Sequence, residues 1–300
     1  MSAFNLALAQ YPIDRLASFA EWQAKTARWV KEAADAGARL LVFPEYGAME
    51  LAALDPASMG DLQGSLRFVA GLAPQIDAHH RALAAAHDVH ILAASLPWPL
   101  PDGRVVNRAR LFTPGGQMGH QDKIVMTRFE RERWGISGGT AIRLFRTAIG
   151  LVGISICYDI EFPMIARAQA QAGATLILAP SCTDTMQGYW RVRIGAQARA
   201  LENQCFVAQA PTVGMAPWSP VLDENYGAAG LFAPPDGDAP DDGVLASGEP
   251  GHAQWVHAPV EAARVPRWRS LGAVRPFAHW DEQFAGAMPP ALPCEVVTLG

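Results

Sequence analysis

The sequence contains no C-x-x-C pair and no histidine cluster at metal-ligand spacing, and its only cysteines among 300 residues are Cys157, Cys182, Cys205 and Cys294. A zinc site and a disulfide framework are both unexpected on that count. There is no G-x-G-x-x-G after a strand and no G-x-x-x-x-G-K-[ST] run, so the cofactor expectation is none. Basic charge is scarce: 24 Lys and Arg face 29 Asp and Glu, a net charge of −5. That balance leaves no electrostatic footprint for nucleic acid or an anionic membrane surface, and a small neutral or mildly charged substrate fits better. No apolar run approaches the roughly 18 residues of a membrane span. The stretch from Met1 to Ile13 lacks a basic n-region and an A-x-A cleavage pattern, so a first strand is expected there rather than a signal peptide. With free thiols and no targeting signal, a reducing, cytoplasmic location is expected.

Half of the residues are apolar, ample for a sizeable core. Their spacing alternates between strand and helix. Residues 4–10, 39–43, 90–96, 108–113, 148–156, 175–180 and 205–211 read as strands, several as continuous apolar runs buried on both faces. Residues 19–36, 66–87 (interrupted near Pro74), 163–172 and 190–203 read as helices. Residues 119–139 are charged and turn-rich and read as a loop outside the core. Beyond residue 227 the pattern becomes short strands, at 227–232, 243–247 and 253–260. One α/β domain over residues 1–262 is the simplest organisation. The tail, residues 263–300, carries Trp268, Phe277, Trp280 and Phe284, and so is expected to pack on the body or on a partner subunit.

Three segments carry candidate chemistry. In the first, the apolar run Gly150–Ile156 ends on Cys157, and Pro163 opens a helix shortly after. A thiol at the carboxyl end of a parallel strand faces the crevice where α/β proteins bind ligands, and nearby backbone N–H groups favour its thiolate. In the second, Leu40-Leu41-Val42-Phe43-Pro44 delivers Glu45 from a buried strand end, a setting that raises a carboxyl pKa toward the range useful for proton transfer. The third is the charge run from Asp122 and Lys123 through Glu130 to Trp134-Gly135. Taken singly, a packing cysteine, a solvated glutamate and a solvated charge run are equally natural. The eight histidines offer no better base: His79, His80, His87 and His90 fall on or beside a helix, His120 opens the charge run, and His252, His257 and His279 lie in the divergent C-terminal part.

In this chain order the three segments resemble the nitrilase, or carbon–nitrogen hydrolase, superfamily. Gly153-Ile154-Ser155-Ile156-Cys157-Tyr158-Asp159-Ile160-Glu161-Phe162-Pro163 looks like its nucleophile segment, and Glu130-Arg131-x-x-Trp134-Gly135 after Lys123 resembles its lysine loop. Ala179-Pro180-Ser181 and Arg199-Ala200-Leu201-Glu202-Asn203 add to the likeness, which covers roughly residues 4–260. The resemblance implies an α/β fold of the nitrilase type, a four-layer α-β-β-α sandwich, assembled as a homodimer or higher homo-oligomer. It also implies catalysis by Cys157 as nucleophile, Glu45 as general base and Lys123 as oxyanion stabiliser, with the Tyr158 backbone N–H and Glu130 in support. Asp184 and Trp190, in the stretch after residues 175–180, are expected to line the pocket. That stretch is similar to a subgroup sometimes fused to an acetyltransferase domain, and it departs from the better-defined amidase branches. The expected reaction is hydrolysis of a small amide, with nitrile hydrolysis or acyl transfer as alternatives and a non-catalytic binding protein as the reading from another class.

Overall fold

Alternation along the first strand decides the layering. In β1 (Phe4–Pro12) of this computed structural model, Leu6 and Leu8 enter one hydrophobic cluster, while Ala7, Ala9 and Tyr11 enter another. The structure describes residues 3–288 and 290–300. The second cluster is completed by α1 (Phe19–Asp35), whose Trp22, Trp29, Val30 and Ala33 recur at helical spacing. Ser18 caps this helix by accepting a hydrogen bond from the Glu21 N–H. The same alternation recurs in β2 (Ala38–Val42), where Leu40 and Val42 share the cluster of Leu6 and Leu8 and Leu41 joins the helix-covered side.

The expected long helix at 66–87 is two helices, α2 (Leu62–Gly71) and α3 (Ala73–His87), with Pro74 in the first turn of the second. Proline lacks the N–H that a helix interior needs, so the break falls there. The sheet continues through β3 (His90–Pro99), β4 (Val105–Phe112) and β5 (Met118–Asp122). The reading of 119–139 as a loop outside the core is corrected: Met118–Asp122 pairs antiparallel with β4, and Lys123, Glu130 and Trp134 are all buried. Composition misled because the charges neutralise one another inside the protein rather than in water. A two-residue strand, β6 (Ile136–Ser137), then returns to β4.

The second half builds a second sheet from β7 (Ile142–Thr147), β8 (Gly150–Ile154), β9 (Leu176–Ser181) and β10 (Phe206–Met215), with α4 (Pro163–Gln171) and α5 (Met186–Asn203) as crossovers. Strands β8, β9 and β10 are parallel, as crossover helices require. Short strands β11 (Glu224–Asn225), β12 (Gly230–Phe232) and β13 (Val244–Ser247) extend its edge. The chain then crosses back, and β14 (Gln254–Val260) pairs antiparallel with β1 along its length. Strand order is therefore β14-β1-β2-β3-β4-β5 in one half and β7-β8-β9-β10 in the other, and among the described residues the strands of the two halves pair only where Tyr11 and Pro12 of β1 meet Thr212 and Val213 of β10. The result is the four-layer α-β-β-α sandwich.

In the tail, α6 (Arg264–Leu271) buries Trp268 against Phe206, and the indole N–H donates to Asp238. Phe277 and Trp280 lie against the Arg167 guanidinium of α4. Finally β15 (Cys294–Thr298) adds a parallel edge strand to β7.

Leu178 of β9 is fully buried in the cluster that also holds Leu6, Leu8 and Leu40. Replacing it by alanine leaves a cavity that the flanking sheets cannot close, and Leu178→Ala is expected to destabilise the fold by about 2–5 kcal/mol. Urea unfolding checks this: the midpoint should fall with the slope unchanged.

Candidate active site

Four strand ends meet beside the junction of the two sheets. Glu45 lies just past β2 and Lys123 follows β5, while Cys157 lies just past β8 and Cys182 follows β9. Each is held by its backbone before its side chain does anything. The Pro44 carbonyl accepts from the Ser95 N–H, and the Tyr46 N–H donates to the Ser95 hydroxyl at 2.9 Å, which fixes the peptide on both sides of Glu45. The Lys123 N–H donates to the Asn107 carbonyl, and its own carbonyl accepts from the Gly139 N–H. Beside it, Arg108 and Asp122 form a two-point ion pair at 2.6 and 2.9 Å that locks β4 to the end of β5. Cys157 has φ of +49°, a left-handed conformation uncommon outside glycine, and it opens a single turn of 3-10 helix over Cys157–Glu161.

The side chains converge on the Lys123 ammonium. It donates to Glu45 Oε1 at 2.7 Å and to Glu130 Oε2 at 2.6 Å. Asn107 Nδ2 donates to the same Glu45 oxygen at 2.9 Å. The second oxygen of Glu45 accepts from the Cys182 N–H at 3.1 Å, a bond that crosses from one sheet to the other. Glu130 also accepts from the Tyr46 hydroxyl and from the N–H and hydroxyl of Thr127. The turn that carries Glu130 is pinned by Trp134, which packs on the Tyr46 ring at 4.8 Å and donates its indole N–H to Leu62. Cys157 Sγ lies 3.8 Å from the Cys182 carbonyl.

Burial sets the proton affinities. Glu45 is pushed above the usual carboxylate range by desolvation, with Lys123 opposing and Glu130 reinforcing the shift. For Lys123, desolvation alone would favour the neutral amine, but the Glu130 and Glu45 carboxylates outweigh it and hold the ammonium well above its ordinary pKa. Glu130 is likewise desolvated, yet Lys123 and its other donors bring it below the ordinary value. The Cys157 thiol is raised by burial and by the adjacent Glu45 charge, so it rests protonated. This corrects the expectation that a helix start would favour a thiolate: the turn is too short to supply much of a dipole, and desolvation dominates. The arrangement is a neutral thiol beside a carboxylate of raised proton affinity, with a fixed ammonium alongside. It suits attack on an electrophilic carbon in which the carboxylate takes the proton as sulfur bonds.

These groups open into a cavity of about 520 Å³. Glu45, Lys123, Cys157, Glu130, Tyr158 and Asp184 all line it. Trp190 does not: it stands on the outer face of α5, 46% exposed, with Arg193 over its ring. Helical spacing explains the error, because the turn of α5 that sends Gly188 and Val192 to the cavity sends residue 190 outward. Histidine plays no part in this wall. The buried His80 bonds to the Ile76 carbonyl, and burial drops its pKa to about 3, so it is a neutral packing residue. Asn107 and the hydroxyl of Tyr46 were missed by sequence reasoning. The one available signal was a lone amide within the apolar alternation of β4. Among the described residues no group of three His, Cys, Asp or Glu side chains is placed to hold a metal ion, and no helix is long and apolar enough to cross a membrane.

Comparison with known proteins places this geometry in context. The sequence model of the carbon–nitrogen hydrolase family matches residues 5–239. The probable hydrolase YhcX of Bacillus subtilis (strain 168) is 34% identical over 276 residues, which is 91% of this chain and 53% of that protein. The chain thus spans about half the length of that relative. Omega-amidase NIT2 of Danio rerio is 28% identical over 234 residues, 75% of this chain and 77% of its own. Among solved structures, Nit3 of Saccharomyces cerevisiae, a member of branch 10 of the nitrilase superfamily, matches with a TM-score of 0.69 at 18% identity, over 89% of this chain and 93% of that one. A double mutant of the amidase from Nesterenkonia sp. AN1 in complex with acrylamide matches with a TM-score of 0.66 at 19% identity, over 95% and 98%. At these identities the structural matches establish the shared fold.

Asn107 Nδ2 serves Glu45 at 2.9 Å and points also toward Glu130 at 3.5 Å. Asn107→Ala removes a donor from a buried carboxylate and is expected to cost about 1.5–3 kcal/mol of stability. Denaturant titration at neutral pH reads that loss directly.

Proposed function

The chain belongs to the carbon–nitrogen hydrolase family; from that premise we propose that it is an enzyme acting on non-peptide carbon–nitrogen bonds, a thiol amidase working through a Cys157 thioester. The observation that carries this reading is the Lys123 ammonium fixed between Glu45 and Glu130 in the cavity that Cys157 lines. As Cys157 Sγ attacks the amide carbon, its proton passes to Glu45, whose raised proton affinity suits the transfer. Charge then builds on the amide oxygen, where the Lys123 ammonium and the Tyr158 N–H stabilise it, each such donor worth about 3 kcal/mol of barrier. Glu45 next gives its proton to the departing nitrogen, and ammonia or an amine leaves. A water, deprotonated by Glu45, attacks the thioester, and the carboxylic acid is released with the thiol restored. Glu130 holds Lys123 throughout.

The outer wall carries Glu161, Asp184, Asp223 and Glu224 against Arg128 and Arg191. This surplus of carboxylate favours amides whose far end is neutral or cationic over those bearing a free carboxylate. The exposed apolar residues Met186, Trp190, Ile194 and Leu201 fall on one face of α5. We assign that face to a second copy of the chain, in keeping with a homodimer. The cysteines are all free, in keeping with a reducing, cytoplasmic setting.

Ammonia or amine release from a panel of neutral, cationic and anionic amides and simple nitriles tests the activity. Cys157→Ala is expected to abolish turnover and Glu45→Gln to lower it by about 10²–10⁴-fold. Silence across the panel, with Cys157 alkylated no faster than Cys182, Cys205 or Cys294, would leave a binding protein on this fold. Sedimentation velocity tests the assembly: the native chain should run as a dimer and Ile194→Glu as a monomer.

A further inference from the structure

Asp159 is absent from the chemistry above, yet it is 1% exposed and its carboxylate accepts from three backbone N–H groups. Its Oδ1 accepts from the Val125 N–H at 2.8 Å and the Ile124 N–H at 3.1 Å. Its Oδ2 accepts from the Ile124 N–H at 3.1 Å and from the Ile156 N–H at 3.3 Å. Those three donors come from two places in the chain. Ile124 and Val125 immediately follow Lys123, on the first sheet's side, and Ile156 immediately precedes Cys157, on the second's. The turn is closed from within as well, since the Asp159 N–H donates to the Ile156 carbonyl. We propose that Asp159 is the positioning residue of this active site, its ionised carboxylate clamping the backbone after Lys123 to the backbone before Cys157 and thereby fixing the ammonium relative to sulfur.

The proposal rests on the assignment of Cys157 and Lys123 as catalytic groups. Its physical basis is that all three partners are donors. An ionised carboxylate satisfies them with charge-assisted bonds. A protonated one must turn an O–H toward a shell of N–H groups and lose at least one of them. Burial raises the Asp159 pKa to about 7, against the opposing pull of the Val125 N–H, the Lys123 charge and the Ile124 and Ile156 N–H groups. The clamp therefore switches within the neutral range. Other charged groups on the packed elements are committed elsewhere. Arg199 of α5 binds the Ile160 carbonyl and Glu202, and Arg191 of α5 lies 3.8 Å from Glu161 of the same turn. Arg167 of α4 lies against Phe277 and Trp280, and β9 carries no charged side chain.

Stability and activity then run in opposite directions. With a folded pKa above its unfolded value, Asp159 binds a proton more readily in the folded chain, so its contribution to stability declines as pH rises from about 4 to about 7. The ordered site forms over that same rise. Asp159→Asn is consequently expected to fold, since it resembles the protonated form.

Two measurements test this on the full chain. In steady-state kinetics on an amide that the wild type hydrolyses, kcat should fall along an acid limb near pH 7. Asp159→Asn should lower kcat at pH 8 by about 10–100-fold with KM within a factor of two, remove that limb, and leave the melting temperature at pH 8 unchanged or higher. In amide hydrogen exchange, corrected for the intrinsic pH dependence, Ile124 and Val125 should lose protection below pH 7 in the wild type and at every pH in Asp159→Asn. Full kcat in Asp159→Asn, or a kcat loss matched by a fall in melting temperature, would overturn the proposal. So would Ile124 and Val125 amides whose protection ignores both the substitution and the pH. Exchange needs no substrate, so a failure of the amidase reading and a failure of the clamp show separately.

Discussion

An ammonium held between two buried carboxylates is the interaction on which the rest of this structure depends. Lys123, Glu45 and Glu130 are each almost wholly removed from water, a setting in which any one of them alone would shed its charge. None can be deleted without stranding another, so the surrounding fold is organised to supply what the ions still lack. Asn107 and the Cys182 N–H serve Glu45, while Tyr46 and Thr127 serve Glu130. The aromatic contact of Tyr46 with Trp134 and the ion pair of Arg108 with Asp122 hold the segments that carry these partners. Much of what reads as surface chemistry in this chain is therefore interior structure.

That inversion explains what could and could not be read from the chain. The alternation of Leu6 and Leu8 with Ala7 and Ala9, and the apolar runs before Glu45 and Cys157, signal strands because hydrophobic burial is a local pattern. The grouping of Glu45, Lys123 and Cys157 in one cavity followed from family likeness applied position by position; no periodicity implies it. Residues 119–139 resisted the same reading because ion pairing inside a protein depends on partners distant in sequence: Glu45 is 78 residues from Lys123. Asn107 is illegible for the same reason, and Asp159 stands in the sequence only as one residue of the nucleophile segment. Trp190 was misplaced because aromatic character gives no information about which side of a helix a residue takes. The two-sheet sandwich was equally beyond local pattern, since β1 joins β10 through only two residue pairs some two hundred positions apart.

That narrow join has a mechanical meaning. The first sheet supplies Glu45 and Lys123, the second supplies Cys157, and among the described residues the only strand pairing between them is Tyr11 with Thr212 and Pro12 with Val213. Thr212 is near enough to Cys182 for its hydroxyl to affect that thiol's proton affinity, and Cys182 in turn bonds to Glu45. The reacting groups thus sit beside the backbone seam of the sandwich. Directional hydrogen bonds resist sliding more than side-chain packing does, so sulfur and carboxylate are spaced beside the backbone pairing that ties one sheet to the other.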